Sequence, residues 1–173
     1  LHHDEQVMVE ETHLLTHDSD NLIVDDNAHL TLSSLRASIR AHKPDLVIVD
    51  QLPLMTPPDT RAPREQQMTA LAYGLKQMAK DEQVVIVAAS QLNADAMKRK
   101  TTVPTLHDLR ESKAIAHAAN WVVALYDPTE GEKDSPRGGE MEWIVLKARQ
   151  GRSGQAVALV NQYHYARLVD MKS

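Results

Sequence analysis

The sequence predicts an α/β fold with a mainly parallel sheet and antiparallel strands near its C-terminal end. Short apolar runs rich in β-branched residues alternate with amphipathic helical patterns over the first half of the 173 residues. Strands that are apolar on both faces are typical of buried parallel sheets, and the strand–helix order requires right-handed crossovers. The last apolar runs follow each other at short intervals, which favours antiparallel pairing at one edge of the sheet.

Seven apolar runs are the predicted strands. Their lengths suit strands rather than helices, since none extends beyond six residues. The seventh is less apolar than the others. The runs are Leu22–Val24, Leu46–Val49, Val84–Ala89, Trp121–Tyr126, Trp143–Leu146, Ala156–Val160 and Ala166–Val169.

Two helices are predicted between the early strands. Thr31 can cap a helix that carries Leu32, Leu35 and Ile39 on one stripe. Residues 64–80 carry a second stripe at helical spacing, formed by Met68, Leu71, Ala72, Leu75 and Met78. Two loops are predicted, at Pro-rich residues 53–64 and at residues 127–139, which contain Gly and Pro. One domain is predicted to span the chain, and residues 1–19 are predicted to form a helical segment at its start.

Composition excludes several functional classes. The chain has no Cys, which removes disulfides and thiolate metal sites, and no apolar run of about 18 residues that would span a membrane. The N-terminus lacks the basic and apolar regions of a secretory signal. Because the net charge is −5, a nucleic-acid site would have to be a local basic patch. The candidates for this patch are Lys98, Arg99, Lys100, Arg110 and Lys113.

Polar residues follow two of the predicted buried strands. Asp50 ends the run Leu46–Val49, and Ser90-Gln91 follows Val84–Ala89. Ligands of open α/β sheets bind beyond the carboxyl ends of the strands, where an Asp can hold Mg²⁺ through its water shell and a Gln can contact a phosphate. On these residues alone, a turn-capping Asp and an ordinary strand-to-loop Ser-Gln remain open alternatives.

Two later segments carry cations. Asp108-Leu-Arg110-Glu111-Ser112-Lys113 combines phosphate-binding side chains with a start signal for a helix, and a solvated helix start is the alternative. Lys147 and Arg149 share one face of a predicted strand because side chains alternate. Followed by Gly151 and Gly154, they suit a phosphate site or, alternatively, an exposed basic hairpin.

The order of these segments resembles the motor domain of DnaB-type replicative helicases, the hexameric helicases of superfamily 4. Leu46-Val-Ile-Val-Asp50-Gln-Leu-Pro-Leu-Met55 is similar to that family's Walker B motif, and Ala89-Ser-Gln91-Leu-Asn93 to its S-Q-L-N motif. The segment from Asp108 to Ile115 resembles D-L-R-E-S-G-A-I, and Lys147-Ala-Arg149-Gln-Gly151 with Gly154 resembles K-Q-R-N-G-x-x-G. The resemblance covers residues 20–171 and implies a RecA-like P-loop NTPase core.

The resemblance implies a role for each matching residue. Asp50 would organise Mg²⁺ on ATP, Gln91 would sense the γ-phosphate, and Lys147 and Arg149 would reach the nucleotide of a neighbouring subunit. Arg110, Glu111, Ser112 and Lys113, with Lys98 and Arg99, would face single-stranded DNA. The family's rings of six, its primase and loader partners, and a cytoplasmic, nucleoid-associated location in a bacterial or phage-infected cell are implied in the same way.

Two departures from the family pattern bear on function. Lys113 stands where the family usually has Gly, so charge replaces a close backbone approach to a DNA phosphate. No G-x-x-x-x-G-K-[ST] occurs in the sequence. We expect this loop, and the Glu that activates water, to lie upstream of Leu1. The chain would then be an N-terminally truncated core that hydrolyses no ATP on its own. A natural relative without the loop, which binds DNA or joins a ring, and a recombinase-type RecA-like ATPase are the alternatives.

Overall fold

Helix α1 (Leu32–His42) begins at Thr31, as the sequence predicts. The computed structural model describes residues 21–92, 103–109, 113–129 and 137–171. In it, Thr31 Oγ1 accepts a hydrogen bond from Ser34 N at 3.0 Å. The Ser34 hydroxyl accepts one from Thr31 N at 3.0 Å, which completes a reciprocal capping box. Leu35 and Ile39 are buried, so the predicted stripe of α1 faces the core.

Helix α2 (Arg64–Asp81) carries the larger part of the core. All five residues of its predicted stripe are buried, and Met68 and Leu71 have no exposed surface. All of them except Ala72 form one cluster with residues of α1 and of the first strand, and Ile86 of the second strand packs against it. The helical spacing read from the sequence is therefore confirmed as the spacing of the buried face. Among the described residues, no helix is both long and apolar enough to cross a membrane.

Strands β1 (Leu46–Val49) and β2 (Val85–Ala88) form a parallel pair. The register runs from Leu46 opposite Val85 to Val49 opposite Ala88, and α2 lies between the two strands in the chain. This is the strand–helix–strand unit that the sequence predicts. A 3₁₀ turn at Leu52–Leu54 follows β1, and Leu52 is buried beneath it.

Helix α3 (Lys113–Ala118) leads into four antiparallel strands. These are β3 (Trp121–Tyr126), β4 (Glu140–Ala148), β5 (Ala156–Gln162) and β6 (Arg167–Asp170), paired in that order. Gly154 has φ +82° in the turn between β4 and β5, a conformation that favours glycine. Two further 3₁₀ turns cover Leu106–Asp108 and Tyr163–Tyr165. The predicted α/β class with antiparallel C-terminal strands is confirmed.

The sheet organisation differs from the prediction in two respects. Within the described ranges the strands form two sheets, because β2 and β3 do not pair with each other. The predicted strand Leu22–Val24 is wrong: these residues form no strand and pair with none of the described residues, and their side chains are at least half exposed. The turn after it is held by Asp25 Oδ1, which accepts a hydrogen bond from Asn27 N at 3.0 Å.

A β-bulge interrupts the pairing of β3 with β4. Val123 lies opposite Val145, but Val122 lies opposite Lys147, so Leu146 is an extra residue on β4. Before the bulge, Trp143 and Val145 share one face with Val123. After it, Lys147 shares the opposite face with Val122. The bulge thus turns Lys147 away from the Trp143 face.

Candidate functional site

The carboxyl ends of β1 and β2 bring together the first group of predicted site residues. Val49 and Ala88 are register partners, so Asp50 and Ser90-Gln91 leave the sheet at the same edge. Two main-chain bonds fix this edge: Ala89 N donates to Val49 O, and Leu52 N donates to Ala89 O, both at 2.9 Å. The side chains of Asp50 and Gln91 are exposed here, as residues that meet a ligand should be.

The sheet edge suits Mg²⁺ bound together with a nucleotide better than a metal held by protein alone. No three or more His, Asp or Glu side chains come together as a metal site within the residues that the structure describes. Mg²⁺ in nucleotide sites usually takes one or two carboxylates and completes its shell with water and phosphate oxygens, and Asp50 can supply one. The Ser90 hydroxyl is buried and has no hydrogen-bond partner among the residues that the structure describes, which leaves one polar group at this edge available to a ligand or water.

The segment after Gln91 connects this edge to the predicted DNA-facing segment. Leu92 forms an isolated antiparallel bridge with Leu109, the residue before Arg110. Asp108, which is buried, accepts hydrogen bonds from Thr105 N at 2.8 Å and Thr105 Oγ1 at 2.9 Å. Asp108 therefore closes its own 3₁₀ turn, several residues before α3 begins.

The second group of predicted site residues lies at the C-terminal end of α3. Lys147 Nζ donates to the carbonyl oxygens of Ala116 at 2.5 Å, Ala119 at 2.9 Å and His117 at 3.3 Å. Arg149 Nη2 donates to the His117 carbonyl at 2.8 Å. The last carbonyls of a helix lack partners within it and carry partial negative charge, so they attract cations.

A third cation, Lys76 of α2, extends this cluster. Lys76 Nζ donates to Asn120 Oδ1, and the main-chain oxygen of Asn120 accepts from Arg149 N at 3.0 Å. Burial, with the nearby charges of Arg149 and Lys76, lowers the pKa of Lys147 below its usual value. No ion pair joins Lys76, Lys147 or Arg149 to a carboxylate in the described part of the chain.

The two groups of residues are not joined into one site by the described elements. Asp50 and Gln91 belong to the parallel pair, whereas Lys147 and Arg149 belong to the antiparallel sheet. Lys113 is the exposed first residue of α3. The remaining predicted DNA-facing residues lie outside the described residues; they are Lys98, Arg99, Lys100, Arg110, Glu111 and Ser112.

Sequence reasoning missed Lys76 and Asn120. Lys76 occupies one position of a long helix, and Asn120 is a single polar residue before β3. Neither belongs to a recognisable motif, and only the packing of α3 against α2 brings them together.

The parallel pair with its polar carboxyl edge, followed by antiparallel strands with a cationic pair, places the chain in the class of RecA-like ATPase domains. Within that class, the chain belongs to the DnaB-like helicases: the family model described as "DnaB-like helicase C terminal domain" matches residues 2–170. The predicted resemblance is therefore confirmed.

Relatives and solved structures agree with this family. The chain is 39% identical over 87% of its length to the replicative DNA helicase DnaB of Leifsonia xyli and 37% identical over 87% to that of Mycobacterium intracellulare. It spans 34% and 27% of the lengths of these two proteins.

Two solved structures share the fold. One is described as an ATPase domain and superimposes with a TM-score of 0.88 at 26% identity, over 98% of this chain and 61% of that one. The other is a DnaB-like replicative helicase described with its interactions with primase; the TM-score is 0.89 at 26% identity, over 99% of this chain and 42% of that one.

Proposed function

We propose that this chain is part of an ATP-dependent replicative DNA helicase that translocates on single-stranded DNA and unwinds duplex DNA. The observation that carries the proposal is the common edge from which Asp50 and Gln91 leave two paired parallel strands, in a chain of the DnaB-like family. This is the edge at which α/β sheets bind nucleotides.

Asp50 and Gln91 are assigned to ATP and Mg²⁺. Asp50 would hold Mg²⁺ through a bound water, and Gln91 would contact the γ-phosphate. When bound, Mg²⁺-ATP supplies the phosphoanhydride bond that is hydrolysed. The bridge from Leu92 to Leu109 gives Gln91 a short main-chain connection to the residue before Arg110. A shift of Gln91 on hydrolysis would therefore be transmitted to the DNA-facing segment.

The remaining assignments concern DNA and other subunits. Arg110, Glu111, Ser112 and Lys113, with Lys98 and Arg99, are assigned to the backbone of single-stranded DNA, which cations and hydroxyls bind without reading sequence. Lys147 and Arg149 are assigned to the nucleotide of a neighbouring subunit in a ring of six. Primase and a helicase loader are the proposed partners, and the bacterial or phage-infected cytoplasm at the nucleoid is the proposed location. The solved relative described with primase supports the first partner.

The proposal is tested on the complete polypeptide that contains this chain. We expect ATP hydrolysis that single-stranded DNA stimulates, and 5′-to-3′ unwinding of a forked duplex. Asp50→Asn, which keeps the shape of the side chain but removes its charge, should lower kcat at least about tenfold, equivalent to about 1.4 kcal/mol of transition-state stabilisation. Asp170→Asn, an exposed acid on β6, is the matched control and should hydrolyse ATP normally.

Two outcomes would contradict the proposal. A complete polypeptide that binds DNA but shows no DNA-stimulated hydrolysis would favour a non-hydrolysing relative. Hydrolysis without unwinding, together with strand exchange between homologous duplexes, would favour a recombinase-type ATPase.

A further inference from the structure

The turn that follows Asp50 is attached to the neighbouring strand by its main chain. Leu52 N donates a hydrogen bond to Ala89 O at 2.9 Å, directly after the end of β2. Leu54 N donates to Gln51 O at 3.0 Å and closes the 3₁₀ turn itself. The side chain of Leu52 is buried in the core cluster. The first residues after Asp50 are therefore fixed to the edge of the parallel pair.

A side chain from α2 holds the same turn. Arg64 Nη2 donates a hydrogen bond to the carbonyl oxygen of Pro53 at 2.9 Å. Pro53 has no N–H, so its carbonyl is the main-chain group by which it can be held. Because the guanidinium is charged, this bond is stronger than one between neutral groups. Arg64 thus joins the turn to a helix that its own buried stripe fixes in the core.

The stability of α2 does not explain why an arginine begins it. The first N–H groups of a helix carry partial positive charge, so an acidic side chain is favoured there and a cation is not. Among the described residues Pro63 provides no capping side chain, and Glu65 is the acidic residue of the first turn. Arg64 works against the dipole of its own helix, and we attribute its presence to the contact with Pro53.

The turn that Arg64 holds lies beside the carboxylate that is assigned to Mg²⁺. This ion requires nearly ideal octahedral geometry, so a small displacement of one ligand weakens its binding. The position of the Asp50 main chain is limited by the turn that follows it. Loss of the bond to Pro53 leaves the buried side chain of Leu52 in place, so we expect the fold to persist while the position of Asp50 becomes less defined.

We propose that Arg64 is a positioning residue, which holds the turn at Pro53 and thereby sets the position of the Asp50 carboxylate for Mg²⁺. The inference rests on the proposed function and adds to it a residue that belongs to none of the motifs described above. Arg64 acts through Asp50, so its removal affects nucleotide that is bound together with the metal and leaves metal-free nucleotide unaffected.

The test measures binding of a fluorescent ATP analogue to the complete polypeptide, with Mg²⁺ and with EDTA. Arg64→Met keeps an unbranched side chain but removes the donors, and should raise the Kd measured with Mg²⁺ by at least about threefold, the effect of one hydrogen bond of ordinary strength. The Kd in EDTA should stay unchanged, because Asp50 then has no metal to bind. Arg64→Lys keeps a charged donor and should recover part of the affinity.

A double-mutant cycle decides whether Arg64 acts through Asp50. In a protein that already carries Asp50→Asn, Arg64→Met should have no further effect on the Kd with Mg²⁺, since the charged ligand is already lost. Arg61→Met removes an exposed arginine from the same loop. It is the matched control and should bind the analogue as the unmodified protein does.

Hydrogen exchange adds a readout that does not depend on nucleotide. The amides of Leu54 and Met55 donate within the turn, to Gln51 O and Leu52 O. They should exchange faster in Arg64→Met than in the Arg61→Met control, while the amides in the centre of α2 keep their protection.

Two results would overturn the inference. One is a loss of affinity that is equal with and without Mg²⁺, or that adds in full to the effect of Asp50→Asn. The other is unchanged exchange of the Leu54 and Met55 amides. If the unmodified polypeptide binds the analogue no better with Mg²⁺ than with EDTA, the proposed function fails at this edge, and the exchange measurement still decides whether Arg64 holds the turn.

Discussion

The Arg149 guanidinium meets one carbonyl of α3 and no carboxylate in the described residues, so its charge is not neutralised by an ion pair. In the proposed ring it stabilises charge that develops on a neighbouring nucleotide during hydrolysis. We therefore expect Arg149→Ala in the complete polypeptide to lower kcat by about 10³-fold or more, while ATP binding changes little. Steady-state kinetics and equilibrium binding of a fluorescent ATP analogue measure the two quantities.

Arg167→Ala removes an exposed arginine from β6 and serves as the control for the loss of one positive charge. A variant at Arg149 that loses ATP binding but turns over at the normal rate when saturated would contradict a role in the transition state.

Asp127 is held by three hydrogen bonds that favour its ionised form. Burial opposes ionisation, but bonds from Tyr163 Oη, Thr129 N and Thr129 Oγ1, each at 2.8 Å, together hold its pKa below the ordinary value of 3.8. A carboxyl whose pKa is lowered by folding adds stability above its unfolded-state pKa and loses it as the pH falls through the folded-state value.

We expect Asp127→Asn to lower the free energy of unfolding at pH 7 by about 1 kcal/mol, a modest figure because Tyr163 is largely exposed to solvent. Denaturant unfolding between pH 7 and pH 2 should show the curves of the two proteins converging below about pH 4. A difference that stays constant with pH would show that ionisation of Asp127 is not the cause.

The strand pattern alone does not give the direction in which Lys147 and Arg149 point. Alternation along a strand correctly puts Lys147 and Arg149 on one face, but the same rule puts them on the face of Trp143 and Val145. The bulge at Leu146 reverses that choice, and neither Gly nor Pro marks it in the sequence. A bulge is fixed by pairing with the neighbouring strand, which a single sequence does not show.

At the scale of elements, α2 shows how strongly a long periodic stripe determines structure. Leu71 has no exposed surface and contributes to the central cluster. Leu71→Ala should lower the free energy of unfolding by about 2–5 kcal/mol through lost burial and the cavity left behind. Tyr73→Ala, on the exposed side of the same helix, is the control and should change it by less than about 0.5 kcal/mol. Urea unfolding measures both; equal effects would contradict the assignment of the buried face.

The strands were predicted less well than the helices, because the pairing of a strand depends on residues that are distant in the sequence. Leu22–Val24 has the composition of a strand, yet no described strand pairs with it. The strand at Trp143–Leu146 extends instead over Glu140–Ala148, because main-chain bonds to β3 and β5 continue through its polar ends. Helices α1 and α2 are defined by local spacing, and the predicted cap of α1 and the predicted range of α2 agree closely with the structure.

At the scale of the whole molecule, the two sheets leave apolar surface uncovered. Ile48 and Val87 are register partners on the parallel pair, and their side chains are 68% and 51% exposed. Such a face, beside strands that pair on one side only within the described ranges, favours self-association. We expect the 173-residue chain, expressed alone, to show a weight-average mass in sedimentation that rises with concentration.

Replacing Ile48 and Val87 together with Thr keeps β-branched side chains while removing much of the apolar surface, so this variant should remain closer to the monomer mass. The same pair of changes at Val157 and Leu168, on the other sheet, tests whether the effect belongs to the β1–β2 face. A wild-type mass that is independent of concentration would contradict the prediction.

The 173-residue chain alone should hydrolyse no ATP. It contains Asp50, Gln91 and Arg149 but no G-x-x-x-x-G-K-[ST], and so lacks the backbone N–H cradle and the lysine that hold the β- and γ-phosphates. Phosphate release should stay at the level of buffer over a range of chain concentrations. A rate that rises in proportion to the chain and disappears in Asp50→Asn would contradict this expectation.

Leu146 is an extra residue in β4, and the bulge that it forms determines which face of the strand Lys147 occupies. If Leu146 were deleted, Lys147 would directly follow Val145 in a regular strand and would still lie on the opposite face, toward α3. If Leu146 were kept but the bulge straightened, Lys147 would turn to the face of Trp143 and lose the helix end. A relative one residue shorter at this point can therefore keep the same arrangement with a regular strand, whereas a relative of equal length has to keep the irregularity.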